Sequence, residues 1–469
     1  MSHPTHAARS GAILLALALS LAPAAEAWAR QAGEPVPERQ TLAFIGVNVV
    51  PMDSERVLEN QTVIVRDGRI AAVGPSAEVS VPEGAVRIDA QGKYLMPGLA
   101  EMHGHLPGGN VPRELVENIL FLYVANGVTL VRGMQGHPSQ LGYRAEIERG
   151  TLLGPRLLLA GPGFGGANLE ADAAASRVRE QKEAGYDLLK IHEGLRPEVY
   201  SVVTATAKEV GIPFGGHVPD AVGLLGALEA GQVTVDHLDN FVEALIPADA
   251  GNVEALFGVA DVADRADASR IPELVQAALR AGSAVVPTMV LWEVFFGGRP
   301  GEELRNEMPE VRYMPPQAVE SWVRAVNQRN ASMRDPAGGR RVLELRREIL
   351  RALHQSGAKI LLGTDSPQLF SVPGFSIHRE MEFMVSVGMT PYEVLRSGTW
   401  NIAEHFGELE TAGTVAPGKR ADLILLEANP LQDVRNVARR AGVVVDGRWL
   451  PEGEIQRRLE AIAGSYSAE

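Results

Sequence analysis

Residues 95–109 read LMPGLAEMHGHLPGG, an apolar run that ends on His103-Gly104-His105. In an extended strand, residues i and i+2 point the same way, so His103 and His105 face one side with Gly104 between them. Two imidazoles aimed into one interior are costly to desolvate unless something uses their lone pairs, and a divalent metal does. Comparable residues close other strand-like runs: Lys190 and His192 in DLLKIH, His217 in IPFGGH, His237 in QVTVDH and Asp365 in KILLGTD. Taken alone, each histidine reads as a satisfied core or rim residue. Five of the eleven histidines at such ends instead predict a metal site built from His103, His105, His217, His237 and Asp365.

Lys190 poses a separate question, because an inward-facing lysine without a partner is expensive. Desolvation favours its neutral amine, which can take up CO2 to form a carbamate, a bidentate anion able to bridge two cations. The alternative is an ordinary lysine paired with Asp365 or reaching the rim. The residue type leaves both open.

Eight runs carry the pattern of a strand followed by a helical stretch: residues 95–105, 128–133, 156–161, 187–192, 212–217, 232–237, 283–289 and 359–365. Repeated β-then-α units predict an α/β fold, a parallel (β/α)8 TIM-like barrel, whose chemistry sits at the C-terminal ends of the strands. A doubly wound open sheet fits less well, since no glycine-rich dinucleotide loop follows the first run. Both ends of the chain are β-rich, with Asp67-Gly68 and Asp446-Gly447 as hairpin turns. They predict a small β-sandwich formed by residues 40–95 and 412–455, flanking a barrel of residues 96–411. Two connections are longer than a barrel needs, near 240–270 and 291–339. The second, holding Trp292, Phe295, Phe296, Tyr313, Met314 and Trp322, is expected to form a lid or pocket wall, or else a decoration on the outside.

Residues 1–29 read as a cleavable signal peptide: Arg9, then the apolar GAILLALALSLAPAA, then small residues. The expected location is the periplasm or the cell exterior, without a membrane anchor in the mature form. The chain has no cysteine, so disulfides and thiolate ligands are excluded and any metal falls to histidine, carboxylate or modified lysine. A formal charge of -14 without a basic cluster argues against nucleic acid as a partner. A small-molecule substrate is expected, and a homo-oligomer is compatible with the composition.

The motifs MPGLAEMHGH, GVTLVRGM, YDLLKIH, GGHVPDAVGLLGALEAG, VDHLD, GTDSP and GTVAPGKRADLILLEANPL resemble the metal-dependent amidohydrolase superfamily, and within it the imidazolonepropionase-like and Xaa-Pro-dipeptidase-like branch. The resemblance implies that His103 and His105 bind a first metal, carboxylated Lys190 bridges to a second held by His217 and His237, and Asp365 binds the first while moving protons. Two Zn2+ ions are implied, although members with one metal exist. The sequence departs from the dipeptidase-like members in GHVPD, where Val218 and Pro219 stand where an aromatic hydroxyl is common, so dipeptide specificity does not carry over.

The reaction this implies is attack of a metal-activated hydroxide on a carbonyl, with Asp365 as general base and then general acid toward the leaving nitrogen. The bond is expected to be an amide or peptide-type C–N bond, as in an N-acyl amino acid, dipeptide or cyclic amide. A lactone or ester, a deamination or isomerisation on the same scaffold, and a non-catalytic periplasmic binding protein are the alternatives. His192 at the rim, His137 past the second strand and Arg132 are the candidate substrate contacts, Arg132 having an interior salt bridge as its other reading. His378 and His405 read as structural.

Overall fold

A computed structural model describes residues 38–166, 168–250 and 258–467. The signal peptide expected at 1–29 lies outside these residues, as does the stretch 251–257 of the first long connection.

The β-rich ends of the chain come together through hydrogen bonding. From the N-terminal side come β1 (Leu42–Val49), β2 (Leu58–Arg66), β3 (Arg69–Pro75), β4 (Val86–Asp89) and β5 (Tyr94–Pro97). The central region contributes β6 (Leu99–Gly104), β7 (Val128–Gly133), β8 (Arg156–Leu159), β9 (Leu189–Ile191), β10 (Phe214–Gly216), β11 (Thr234–Asp236) and β12 (Ala284–Val286). The C-terminal side adds β13 (Leu423–Leu426), β14 (Arg440–Val445) and β15 (Arg448–Pro451). One eight-stranded sheet runs β15-β14-β13-β5-β1-β2-β3, with β4 paired to β1. The strands of both ends therefore share a single hydrogen-bonded sheet rather than two separate facing ones. Its hinge is β5, parallel to β1 and antiparallel to β13. The turns at Asp67-Gly68 and Asp446-Gly447 take positive φ at both residues, 51° and 72° in each case. That backbone matches the right-handed twist of the flanking strands, as a two-residue hairpin requires. Leu42, Phe44, Val63, Leu95, Leu423 and Val444 form the apolar core between these strands.

The central strands are all parallel. They lie in a three-stranded sheet, β6-β7-β8, and a four-stranded sheet, β12-β11-β10-β9. A parallel bridge from Ala160 to Leu188 connects β8 to β9. On the far side, the extended segment 359–366 bridges to β12 at Val285–Ile360 and to β6 at Gly104–Ser366. Met102 N donates to Leu362 O (2.9 Å) and His105 N to Ser366 O (2.7 Å), so the same segment is tied along β6. Among the described residues the last of the eight runs is thus an extended segment with isolated bridges, not a full strand.

Helices connect the parallel strands in sequence and cover them with apolar stripes. The helix Pro336–Gln355 shows why: Asp335 caps it by accepting from Ala337 N, proline occupies its first turn, and Val342, Leu345, Ile349 and Leu353 are buried. The aromatic connection forms the helices Met289–Phe296, Gly301–Glu307 and Pro316–Ser332. Trp322 meets Phe370 with ring centroids 5.8 Å apart, and Tyr313 stacks on Phe375 at 5.0 Å. This connection is therefore packed against the loop that follows Asp365. No helix of the described residues is long and apolar enough to cross a membrane.

Candidate metal centre

His103, His105, Lys190, His217 and His237 lie near the C-terminal ends of parallel strands and Asp365 near the end of the extended segment 359–366, and the structure brings these ends together. His105 Nε2 lies 3.0 Å from Asp365 Oδ1, and His103 Nε2 lies 3.7 Å from the same oxygen. Lys190 Nζ is 3.0 Å from His103 Nε2, and His237 Nδ1 is 3.7 Å from Asp365 Oδ2. The His217 ring completes the group, its centroid 4.5 Å from that of His237 and 6.2 Å from that of His103. His103, His105 and Asp365 have ligand atoms close enough together to hold one cation.

The chemistry of this cluster fits a divalent metal. His237 Nε2 is buried and makes no hydrogen bond among the described residues, an expensive state for a group that a cation would satisfy. Asp236 Oδ2 holds His103 Nδ1 at 2.6 Å, and Asp239 Oδ2 holds His217 Nδ1 at 2.7 Å. His237 Nδ1 faces Thr288 Oγ1 at 2.8 Å. A carboxylate at Nδ1 fixes the tautomer that leaves Nε2 with its lone pair, the usual support of a metal-binding histidine. Burial, with Lys190 beside it, holds the His103 imidazole well below its ordinary range. Burial likewise brings His217 and His237 to about 4. All three are neutral at pH 7, as ligands must be.

The backbone is strained where these ligands sit. His237 and Asp365 adopt positive φ, 63° and 61°, as does Thr288 at 47°. Non-glycine residues in this region cost about 1–3 kcal/mol each and persist where the surroundings enforce them.

Lys190 is buried, and burial lowers its amine from the usual lysine range. No carboxylate pairs with it among the described residues; its polar contact is His103 Nε2. The salt bridge to Asp365 considered from the sequence is therefore not formed.

The candidate substrate contacts divide. His192 is about one-third exposed at its side chain and stacks on His217 with centroids 5.5 Å apart. Arg132 does not reach the rim, while His137 is exposed but engaged in a helix cap. Arg132 is buried, donating to Asp236 Oδ2 (2.7 Å), Thr234 Oγ1 (2.9 Å) and the Met102 carbonyl, so all its reach is spent inside. His137 caps the helix Pro138–Arg149, its Nδ1 accepting from Ser139 N and from Gly109 N. A capping box with Gln140 holds it there.

Sequence reasoning missed Asp236, Asp239, Thr288 and Glu193, the last with Oε1 3.2 Å from His217 Nδ1. Two of them flank His237 in VDHLD, and a carboxylate next to a candidate ligand was the available signal. Thr288 had none, since its partner lies 51 residues away.

Residues 313–450 match the model of the amidohydrolase family. Adenine deaminase 3 of Rhizobium meliloti (strain 1021) is 24% identical over 84% of the chain, which spans only 57% of that deaminase's length. The imidazolonepropionase of Geobacillus sp. (strain WCH70) is 26% identical over 83% of the chain and 90% of its own length. A solved bottromycin amidohydrolase shares the fold, with a TM-score of 0.68 at 23% identity, covering 92% of this chain and 94% of that one. The family match over residues 313–450 and these relatives fit the amidohydrolase superfamily of enzymes.

Proposed function

We propose that this protein is a metal-dependent hydrolase that cleaves an amide or peptide-type C–N bond in a small molecule. The observation that carries the reading is the convergence of His103, His105, Lys190, His237 and Asp365, with His237 Nε2 buried and lacking a hydrogen bond among the described residues. In this reading the parallel strands and segment 359–366 are a (β/α)8 barrel, supported by the bridges that link β8 to β9 and β12 through 359–366 to β6. The sheet of the two chain ends forms a separate small domain beside it.

His103, His105 and Asp365 hold one cation, and His217 and His237 a second. Lys190, with no salt bridge among the described residues and beside His103 Nε2, is suited to carry a bridging carbamate. Zn2+ is the natural occupant of a histidine and carboxylate set. When bound, such ions supply Lewis acidity toward a carbonyl and lower the pKa of water. Asp365 then takes the proton from the attacking water and delivers it to the leaving nitrogen, without which an amide nitrogen does not depart. His192, at the rim beside His217, contacts the substrate. The N-terminal leader assigns the enzyme to the periplasm or the exterior.

The test is metal content per chain in wild type and Lys190→Ala, with bicarbonate supplied, alongside hydrolysis of a panel of amides, lactones and esters. Two metals in wild type, fewer in the variant and turnover of amides are expected. Absence of metal from both proteins overturns the reading. Turnover confined to lactones or esters moves the reaction class, and ammonia release identifies a deaminase.

A further inference from the structure

Glu101 lies two residues before His103 on β6, so strand alternation turns it to the same interior side. It is fully buried, and among the described residues no cation pairs with it. Burying an unpaired carboxylate is costly unless its oxygens are satisfied by donors. Here Oε1 accepts from His103 N (2.9 Å) and from Thr364 N (2.8 Å), while Oε2 accepts from Thr364 Oγ1 (2.5 Å). His103 is a candidate ligand, and Thr364 directly precedes Asp365. One carboxylate thus joins the backbones of two ligand-bearing segments that are 263 residues apart in sequence.

Two glycines make room for it. A Cβ on Gly104 would lie 3.2 Å from Glu101 Cγ and 3.0 Å from the Tyr123 hydroxyl. A Cβ on Gly363 would lie 3.1 Å from Glu101 Oε1 and 3.0 Å from His103 N. The Tyr123 hydroxyl continues the tie by donating to Ser366 O (2.8 Å), the carbonyl that also receives His105 N. Glu101 thus crowds both glycines, together with Val131 Cγ1, 2.8 Å from a Cβ on Gly104, and Val286 Cγ1, 2.6 Å from one on Gly363.

We propose that Glu101 is a positioning residue that sets the spacing between the His103–His105 strand and Asp365, and so the dimensions of the cation site. The inference rests on the metal-centre reading above. A glutamine replaces it imperfectly: its neutral carbonyl is a weaker acceptor for the two backbone N–H groups, and its NH2 must donate to Thr364 Oγ1, reversing that bond.

The experiment compares wild type, Glu101→Gln, Thr364→Val, Thr364→Ser and Leu425→Ala, the last in the core of the eight-stranded sheet. Each protein is stripped of metal, its Zn2+ affinity is measured by competition with a chromogenic chelator, and the visible spectrum of its Co2+ form is recorded. Glu101→Gln and Thr364→Val are expected to weaken Zn2+ binding by about tenfold or more and to shift the Co2+ spectrum. Thr364→Ser, which keeps the hydroxyl, retains wild-type behaviour. Leu425→Ala melts at lower temperature with an unchanged spectrum, separating positioning from general destabilisation. Wild-type affinity and spectrum in both Glu101→Gln and Thr364→Val overturn the proposal. If Glu101→Gln fails to fold, Thr364→Val decides alone. A wild type that binds neither ion defeats the metal-centre reading itself, and Glu101's role with it.

Discussion

His103 Nδ1 lies 2.6 Å from Asp236 Oδ2, and both side chains are closed off from solvent. The same oxygen receives Arg132 Nη2 at 2.7 Å, so a buried cation neutralises the carboxylate that orients the imidazole. Asp236→Asn keeps the shape and removes the charge. Zn2+ affinity is expected to fall about 10–100-fold, the usual cost of losing a carboxylate behind a metal-binding histidine. Arg132 is left buried without its counter-ion, which costs about 3–5 kcal/mol of stability. Chelator competition and urea unfolding measure the two effects separately. Unchanged affinity would show that Asp236 supports the fold alone.

Removing metal should itself be visible in stability. His237 Nε2 has no hydrogen bond among the described residues, and a ligand that binds only the folded state stabilises it by mass action. At a free concentration of 100 times Kd this amounts to about 2.7 kcal/mol. Protein stripped with a strong chelator is expected to melt several degrees lower and to recover when Zn2+ is restored. If verified loss of metal leaves Tm unchanged, the ions are not held by this buried cluster.

His137 and His192 can be told apart by what their loss changes. His137 caps a helix through Nδ1, so His137→Ala should cost about 1 kcal/mol and leave kcat/KM within about twofold of wild type. His192 stacks on His217 at the rim. His192→Ala should lower kcat/KM on the order of tenfold, as loss of about 1.4 kcal/mol of substrate contact in the transition state does, with metal content and stability retained. Steady-state kinetics on the substrate found by the panel, with thermal melts, decides both. A drop in turnover for His137→Ala would return that residue to the substrate site.

These contrasts mark how far the sequence could be read. That these side chains would meet was legible because period-two alternation and strand-terminal placement are local: His103, His105, Lys190, His217, His237 and Asp365 lie at the ends of short β-like runs. The hairpins at Asp67-Gly68 and Asp446-Gly447 were legible for the same reason, as their turn chemistry is contained in two residues. Glu101 and Asp236 were not, because their partners Thr364 and His103 are 263 and 133 residues distant and no local pattern encodes that pairing. Arg132 showed only a charged side chain in an apolar run. Whether it pointed to a ligand or to Asp236 depended on which strand lay opposite.

His378, in the helix Ser376–Ser386, should shape the response to acid. Its Nε2 lies 3.2 Å from Asn126 Oδ1, its Nδ1 is buried without a partner, and Arg440 donates to the same Asn126 oxygen. Burial first, and then the Arg440 charge, bring its imidazole from 6.5 down to about 3. The folded protein keeps His378 neutral, while the unfolded chain protonates it as pH falls below 6.5. The stabilisation is therefore fully present above 6.5 and is lost as pH falls from there toward 3, by at most about 1.4 kcal/mol per pH unit. His378→Gln can still donate to Asn126 Oδ1 but cannot titrate in this range. Urea unfolding of metal-loaded protein between about pH 7 and pH 5 should show a shallower loss of stability for the variant. Parallel curves would mean that His378 is protonated in the fold, with Arg440 moved aside to admit the charge.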